Sequence, residues 1–126
     1  MPRALVLDDS RAMRMILGRI LREIGYDVVD AADGRQGLAI LREEETLPDI
    51  ALIDWNMPEM NGLEFVNAVR AEHAWRDMTL MMVTTESEHG QIVRALTAGA
   101  HEYVLKPFTN EAITEKLSLL GLVPAA

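Results

Sequence analysis

Five short apolar runs, each followed by a stretch of helical spacing, leave this chain few folds to choose from. The runs are Arg3–Asp8, Asp27–Ala32, Asp49–Asp54, Met78–Thr84 and Glu102–Leu105. Several are apolar nearly throughout rather than alternating, as strands covered on both faces are. After the first run, Met13, Ile16, Leu17, Ile20, Leu21 and Ile24 recur at three- and four-residue steps, with Arg11, Arg14, Arg19 and Arg22 at other positions. That pattern predicts a helix with one apolar face, capped by Ser10 and stopped by Gly25. Leu38 and Leu41 mark a second helix, which runs out in a solvated Glu43–Glu45 stretch. Gly37 sits inside it at a cost of about 1 kcal/mol relative to Ala, which a close helix–sheet contact would explain. Leu63, Val66 and Val69 mark a third helix opened by Asn61 and Gly62. Ile92, Ala95 and Leu96 mark a fourth, stopped by Gly99. Ile113, Leu117 and Leu120 mark a fifth, with Thr109 as N-cap and Gly121 after its end. Strand and helix alternate five times, which predicts an α/β fold: a parallel sheet sandwiched by helices through right-handed crossovers. A length of 126 residues suits one domain with a real core, and no internal repeat, low-complexity tract or linker divides it.

Four of these runs end on residues suited to a metal ion or a phosphoryl group. Asp8 and Asp9 end RALVLDD, Asp54 ends DIALID, Thr84 ends MTLMMVT, and Lys106 ends EYVLK. In a parallel sheet these ends meet at one edge, where open α/β sheets place their ligands. Three carboxylates crowded together disfavour joint ionisation, a problem that a bound cation removes. Hard oxygen ligands without His or Cys point to Mg²⁺, or to Mn²⁺ of similar preference. Taken alone, Asp8 and Asp9 also read as a helix-start dipeptide before Ser10. Asp54 has a second possible role, because a carboxylate can attack phosphorus and become an acyl phosphate. Positioning and charge neutralisation dominate that chemistry. The cation would cover some phosphoryl oxygens, Lys106 another, and the Thr84 hydroxyl a third. The bond between Lys106 and Pro107 is a candidate cis peptide that would bend the chain after the strand. Tyr103, three residues before Lys106, falls on the opposite strand face and is not expected to touch phosphate.

Composition removes several functional classes. Twelve basic against twenty acidic residues give a net charge of −8, which opposes non-specific nucleic-acid binding. The absence of cysteine excludes disulfides, thiolate metal sites and thiol nucleophiles. Neither a secretory signal nor a run of roughly 20 apolar residues is present, so the expectation is a cytoplasmic protein without membrane contact. Only two lysines occur, Lys106 and Lys116, the other ten basic residues being arginine. A compact point charge is therefore set at the end of a buried strand. His73, His89 and His101 show no metal-ligand spacing and read as exposed structural residues. Met13, Met15, Met57, Met60, Met78, Met81 and Met82 read as core filler and loop contacts. Trp55, beside Asp54, is a candidate fluorescence reporter.

The stretch DWNMPEMNGLEF, from Asp54 to Phe65, together with LVLDDS, VTTE and YVLKPF, resembles response-regulator receiver domains. The resemblance is nearest to stand-alone chemotaxis-type regulators of the CheY class and runs from about Arg3 to Leu120. It implies a flavodoxin-like (βα)5 fold with strand order 2-1-3-4-5, and one receiver domain over residues 1–126 with no output domain. It implies Asp54 as phosphoacceptor, with Asp8, Asp9 and the backbone carbonyl of Asn56 toward Mg²⁺, Asp9 directly and Asp8 largely through water. Thr84 and Lys106 would bind phosphoryl oxygens, and Tyr103 would be an aromatic switch that moves inward with Thr84. Asn56 and Glu86 occupy positions that tune phosphate loss. Thr85 departs from the Ala or Gly of many members, and the final helix looks short. The implied partners are a histidine kinase or phosphotransfer protein, and a target such as a flagellar motor switch, engaged by the face of the fourth helix, fifth strand and fifth helix. Such a protein catalyses its own phosphorylation from a phosphodonor and its own dephosphorylation. Three rivals differ in class. A haloacid-dehalogenase-type phosphatase commonly needs a second Asp two residues after the nucleophile, where Asn56 stands and cannot shuttle a proton. An FMN carrier needs a phosphate-cradling loop after the first strand, where the acidic pair stands. A receiver-fold interaction module that is never phosphorylated does not need the full set of Asp8, Asp9, Asp54, Thr84 and Lys106.

Overall fold

The structure, a computed structural model, describes residues 2–85 and 89–122. Its strands are β1 (Arg3–Leu7), β2 (Asp27–Ala31), β3 (Ile50–Ile53), β4 (Thr79–Thr85) and β5 (Glu102–Lys106). Its α-helices are α1 (Arg11–Ile24), α2 (Gly34–Glu43), α3 (Gly62–Ala71), α4 (His89–Ala98) and α5 (Asn110–Leu119), with a 3₁₀ turn at His73–Trp75. All strand pairs are parallel, and the order is β2-β1-β3-β4-β5. The flavodoxin-like order implied by the resemblance is the observed one. Leu7 lies level with Ala31 and Ile53, Ile53 with Met82, and Thr85 with Lys106. The residues that follow β1 and β3, and those that close β4 and β5, therefore share one edge.

Alternation along the strands divides the core in two. Leu5, Leu7, Ala51, Ile53, Leu80 and Met82 pack with Leu38, Phe65, Val66 and Ala95 on the side of α2, α3 and α4. Ala4, Val6, Ile50, Leu52, Met81 and Val83 pack with Leu17, Leu21, Ile113 and Leu117 on the side of α1 and α5. Each fully buried Leu, Ile, Val or Met contributes roughly 1.5–3 kcal/mol by leaving water. Gly37 answers its cost as expected, because a Cβ there would meet Leu7 Cδ2 at 2.9 Å and Phe65 Cε1 at 3.1 Å. The helix starts follow their caps. Ser10 Oγ accepts from Met13 N at 3.2 Å and Thr109 Oγ1 from Ala112 N at 3.1 Å, while Asn61 and Glu64 form a reciprocal capping box.

Several sequence expectations change: Ile16 and Leu96, read as apolar-face positions of their helices, are 49% and 38% exposed. Met15 is 61% exposed on the outer face of α1 and fills no core. Glu44 is not simply solvated, because Arg3 binds its carboxylate with both terminal nitrogens at 2.8 and 2.9 Å and ties the end of α2 to β1. Met15 stands opposite the apolar stripe of α1 at about 100° per residue, so periodicity already turns it outward, whereas the Glu44 pair rests on a contact 41 residues apart that periodicity does not show.

Candidate functional site

Backbone pairing brings the acidic residues together. Asp8 N donates to Ala31 O at 3.3 Å and Asp54 N to Leu7 O at 2.8 Å, which continues the sheet ladder one residue beyond β1 and β3. Asp8 is 1% exposed and Asp54 7%, while Asp9 faces solvent. One carboxylate oxygen from each of Asp8, Asp9 and Asp54 lies within 4.8 Å of the other two. Lys106, the last residue of β5, reaches in from the other side. Its Nζ donates to Asp8 Oδ2 at 3.0 Å and to Asp54 Oδ1 at 3.3 Å. The Lys106–Pro107 bond, a candidate for either isomer in the sequence, is cis.

The electrostatics are those of a strained acidic pocket. Burial pushes the Asp54 carboxyl up to about 6, and the Asp8 carboxylate adds to the shift, which Lys106 only partly opposes. Burial works to lower the Lys106 ammonium, but its hydrogen bonds and charge contacts with Asp8 and Asp54 outweigh it and leave it raised. The acidic groups therefore exceed what one lysine neutralises. Oxygen donors alone, two of them deeply buried, fit a hard divalent cation such as Mg²⁺.

Thr84 lies one residue before the end of β4 at the same edge and is 1% exposed. Its Oγ1 has no hydrogen-bond partner among the described residues. A buried hydroxyl left unsatisfied costs about 1–3 kcal/mol, so an incoming oxygen acceptor would relieve it. Tyr103 packs on the α2–α4 side while Val104 packs on the α1–α5 side, as strand alternation predicts. The Tyr103 ring is capped by Lys116 Nζ, 5.1 Å from its centroid, and that lysine also pairs with Glu102 at 3.1 Å. Asn56 is exposed in the β3–α3 loop, and Thr85 and Pro107 are exposed at their strand ends. Glu86 lies outside the described residues. Among those residues, the only cluster of potential metal ligands is Asp8, Asp9 and Asp54, and no histidine belongs to it.

Two site residues escape sequence reasoning. Arg14 reads as one of several polar helix residues, yet its Nη1 donates to the Asp8 carbonyl at 2.7 Å and its Nε to Asp30 at 3.1 Å. It fixes the backbone that carries the acidic pair. The signal was Asp30 at the end of the neighbouring strand, which speaks only once β2 is known to flank β1. Gly62 opens α3 so close to β3 that a Cβ would meet Asp54 O at 2.7 Å. The glycine lets the loop fold back against the phosphoacceptor candidate.

The family model of the response regulator receiver domain matches residues 4–118. The chain belongs to the response regulator receiver family. Among relatives of the receiver, a chemotaxis protein CheY homolog of Campylobacter jejuni is 45% identical over 114 residues, which is 90% of this chain and 87% of that one. The CheY1 chemotaxis protein of Helicobacter pylori strain J99 is 39% identical over 117 residues, 92% of this chain and 94% of its own. In structure the receiver superposes on the chemotaxis response regulator CheY4 of Vibrio cholerae with a TM-score of 0.86 and 34% identity, covering 95% of this chain and 98% of that one. The sheet order and the acidic edge are thus those of a receiver in two-component signalling.

Proposed function

We propose that this receiver accepts a phosphoryl group on Asp54 from a histidine kinase or phosphotransfer protein and passes the signal on by changing its affinity for a partner. The observation that carries the reading is the shared ammonium of Lys106, which spans Asp8 and Asp54 at the strand ends. Asp8, Asp9 and Asp54, with the Asn56 carbonyl, would hold Mg²⁺ (Mn²⁺ is an alternative). Bound there, the cation offsets negative charge on the carboxylates and on phosphoryl oxygens. An Asp54 oxygen attacks phosphorus as the phosphorus–nitrogen bond of a phosphohistidine breaks, and the imidazole keeps the electron pair and takes up a proton. Lys106 moves its hydrogen bond from the carboxylate to a phosphoryl oxygen, and the Thr84 hydroxyl donates to another. Tyr103 then exchanges its place beneath Lys116 for an inward one, which alters the face of α4, β5 and α5. Inverting a 1:99 population needs the phosphorylated aspartate to favour the active arrangement by about 5.5 kcal/mol, a sum within reach of several charge-assisted hydrogen bonds. Asn56, Thr85 and Glu86 set how readily water or a partner reaches the acyl phosphate, and Pro107 shapes the loop after Lys106.

The relatives' names support chemotaxis as the pathway; a flagellar motor switch or another signalling protein as target, and the cytoplasm as compartment, belong to the same proposal. Residues 1–126 act as one receiver unit that signals by protein binding and catalyses the gain and loss of its own phosphate. Among the described residues no helix is long and apolar enough to cross a membrane. The decisive experiment treats wild type and Asp54→Asn with a small phosphodonor and Mg²⁺ and reads intact mass and acid-labile phosphate. Wild type gains one phosphoryl group and the variant gains none. Equal labelling of the two would reject Asp54 as acceptor.

A further inference from the structure

Five large apolar side chains are exposed among the described residues, and three of them lie on α1 and α5: Met15 at 61%, Ile16 at 49% and Leu119 at 71%. The surroundings of these three carry opposite charge. On α1 the outward residues Ala12, Met15, Ile16 and Arg19 line one shallow groove, and Met15, Arg19, Arg22 and Glu23 line the next. With Arg11 at the start of the helix, this face is basic in a chain of net charge −8. On α5 the outward groove is lined by Asn110, Glu111, Thr114, Glu115, Ser118 and Leu119, so that face is acidic. Arg19, Glu111 and Glu115 are exposed, and none has an ion-pair partner among the described residues.

The two helices lie in one layer and share a core through Leu17, Ile20, Leu21, Ile113 and Leu117. Both return from the carboxyl edge of a parallel sheet, so both run the same way. A twofold axis along the helices, set between α1 and α5, would place α1 of each copy on α5 of the other. Each basic apolar face then meets an acidic apolar face, twice, and the contact closes on itself without propagating.

We propose that the α1–α5 layer is a self-complementary docking surface for a second copy of this chain. Met15, Ile16 and Leu119 form its apolar centre, with Arg19 against Glu115 beside it. Helices of 14 and 10 residues are about 21 and 15 Å long, and side by side they offer on the order of 400 Å² per copy. That is small, and the like net charge of the two copies opposes approach, so the dimer is weak. None of Met15, Ile16, Arg19, Glu115 and Leu119 belongs to the carboxylate cluster or pairs with Lys106, and the contact does not require phosphate.

Charge reversal tests the pairing directly. Arg19→Glu and Glu115→Arg each set like charges across both contacts of a homodimer. Mixed together, the two variants restore both contacts, and the mixed pair carries the same total charge as two wild-type copies. Sedimentation velocity up to millimolar protein should show concentration-dependent dimerisation of wild type, weakened at least tenfold in either variant alone and recovered in the equimolar mixture. Labelling of Asp54 by a small phosphodonor, read in the same samples, stays at the wild-type level. A monomeric wild type would overturn the proposal and leave the two faces to foreign helices. Single variants that dimerise normally, or a mixture that stays monomeric, would overturn it equally.

Discussion

At the carboxyl edge of the sheet two buried carboxylates share one ammonium, with a third carboxylate beside them, whereas at the amino edge one guanidinium is shared by three carbonyl oxygens. Arg70 donates from Nε to Gly99 O at 3.0 Å, from Nη1 to Arg76 O at 3.2 Å and from Nη2 to Met78 O at 2.9 Å. Gly99, at φ 127°, leaves room for the arginine stem, since a Cβ there would meet Arg70 Cγ at 2.7 Å. His101 Nδ1 accepts from Leu80 N at 3.2 Å and completes that edge. Each guanidinium nitrogen at this clamp meets a carbonyl oxygen. The carboxyl edge holds instead a raised carboxyl at Asp54 and an unpartnered hydroxyl at Thr84. The same sheet thus separates the two demands made of it, with stability gathered at one edge and stored electrostatic strain at the other.

Variants at the two edges should therefore fail in opposite ways. The largest effect is expected from Asp54→Asn, which loses all acid-labile labelling. In chelator at pH 7 it also gains up to about 3 kcal/mol of unfolding free energy, because a buried charge is removed. Urea melts check the second half, and a destabilised variant would mean that the carboxyl edge is not strained. Arg70→Ala should do the reverse. Three carbonyls lose their donor, at a cost of about 2–4 kcal/mol in the same melts, while labelling per folded molecule stays normal. A labelling defect in the folded variant would break the division between edges. Lys106→Ala should still label but no longer switch partner affinity. Phosphate-dependent binding at the wild-type level would remove Lys106 from the switch.

How much of this contrast the sequence discloses follows from where the partners lie. The carboxyl edge was legible because its parts are side chains of distinctive chemistry at the ends of apolar runs, and a parallel sheet gathers such ends without further information. Asp8, Asp54, Thr84 and Lys106 needed only the topology. The amino edge was invisible, because Arg70 and His101 bind backbone groups, which every residue carries and no motif announces. Arg14 was hidden for the same reason, its first partner being the Asp8 carbonyl. The roles of Asn56, Thr85 and Glu86 rest on family likeness alone. The outward turn of Met15 and Leu119 was open to reading, since both stand opposite the apolar stripes of their helices at about 100° per residue.

Acidity gives the comparison a sharper edge. The Asp54 carboxyl is raised from 3.8 in the unfolded chain to about 6 in the fold. Its protonated form contributes stability that is fully present below the unfolded value and is lost as pH rises through about 6. The stability difference between metal-free wild type and Asp54→Asn should therefore open between pH 4 and pH 7 and vanish below. A difference independent of pH would show that the Asp54 charge is already balanced.

His101 should slope the other way, and more gently. Burial first, and then the Arg70 guanidinium, lower its imidazole from 6.5. The neutral ring accepts the Leu80 amide, and a proton on Nδ1 would forfeit that bond. Its contribution is thus present above pH 6.5 and is lost as pH falls through the depressed value. The ring is partly exposed, which screens the effect to a few tenths of a kcal/mol. An Asp54→Asn background removes the opposing carboxyl-edge slope and lets the small one be read. In that background, melts from pH 7 to pH 5 should lose more stability with His101 present than with His101→Asn, whose Oδ1 stands where Nδ1 does and can take the same hydrogen bond without titrating. Parallel curves would mean that the Leu80 amide bond does not feel the histidine's charge, and that the amino edge owes its order to Arg70 alone.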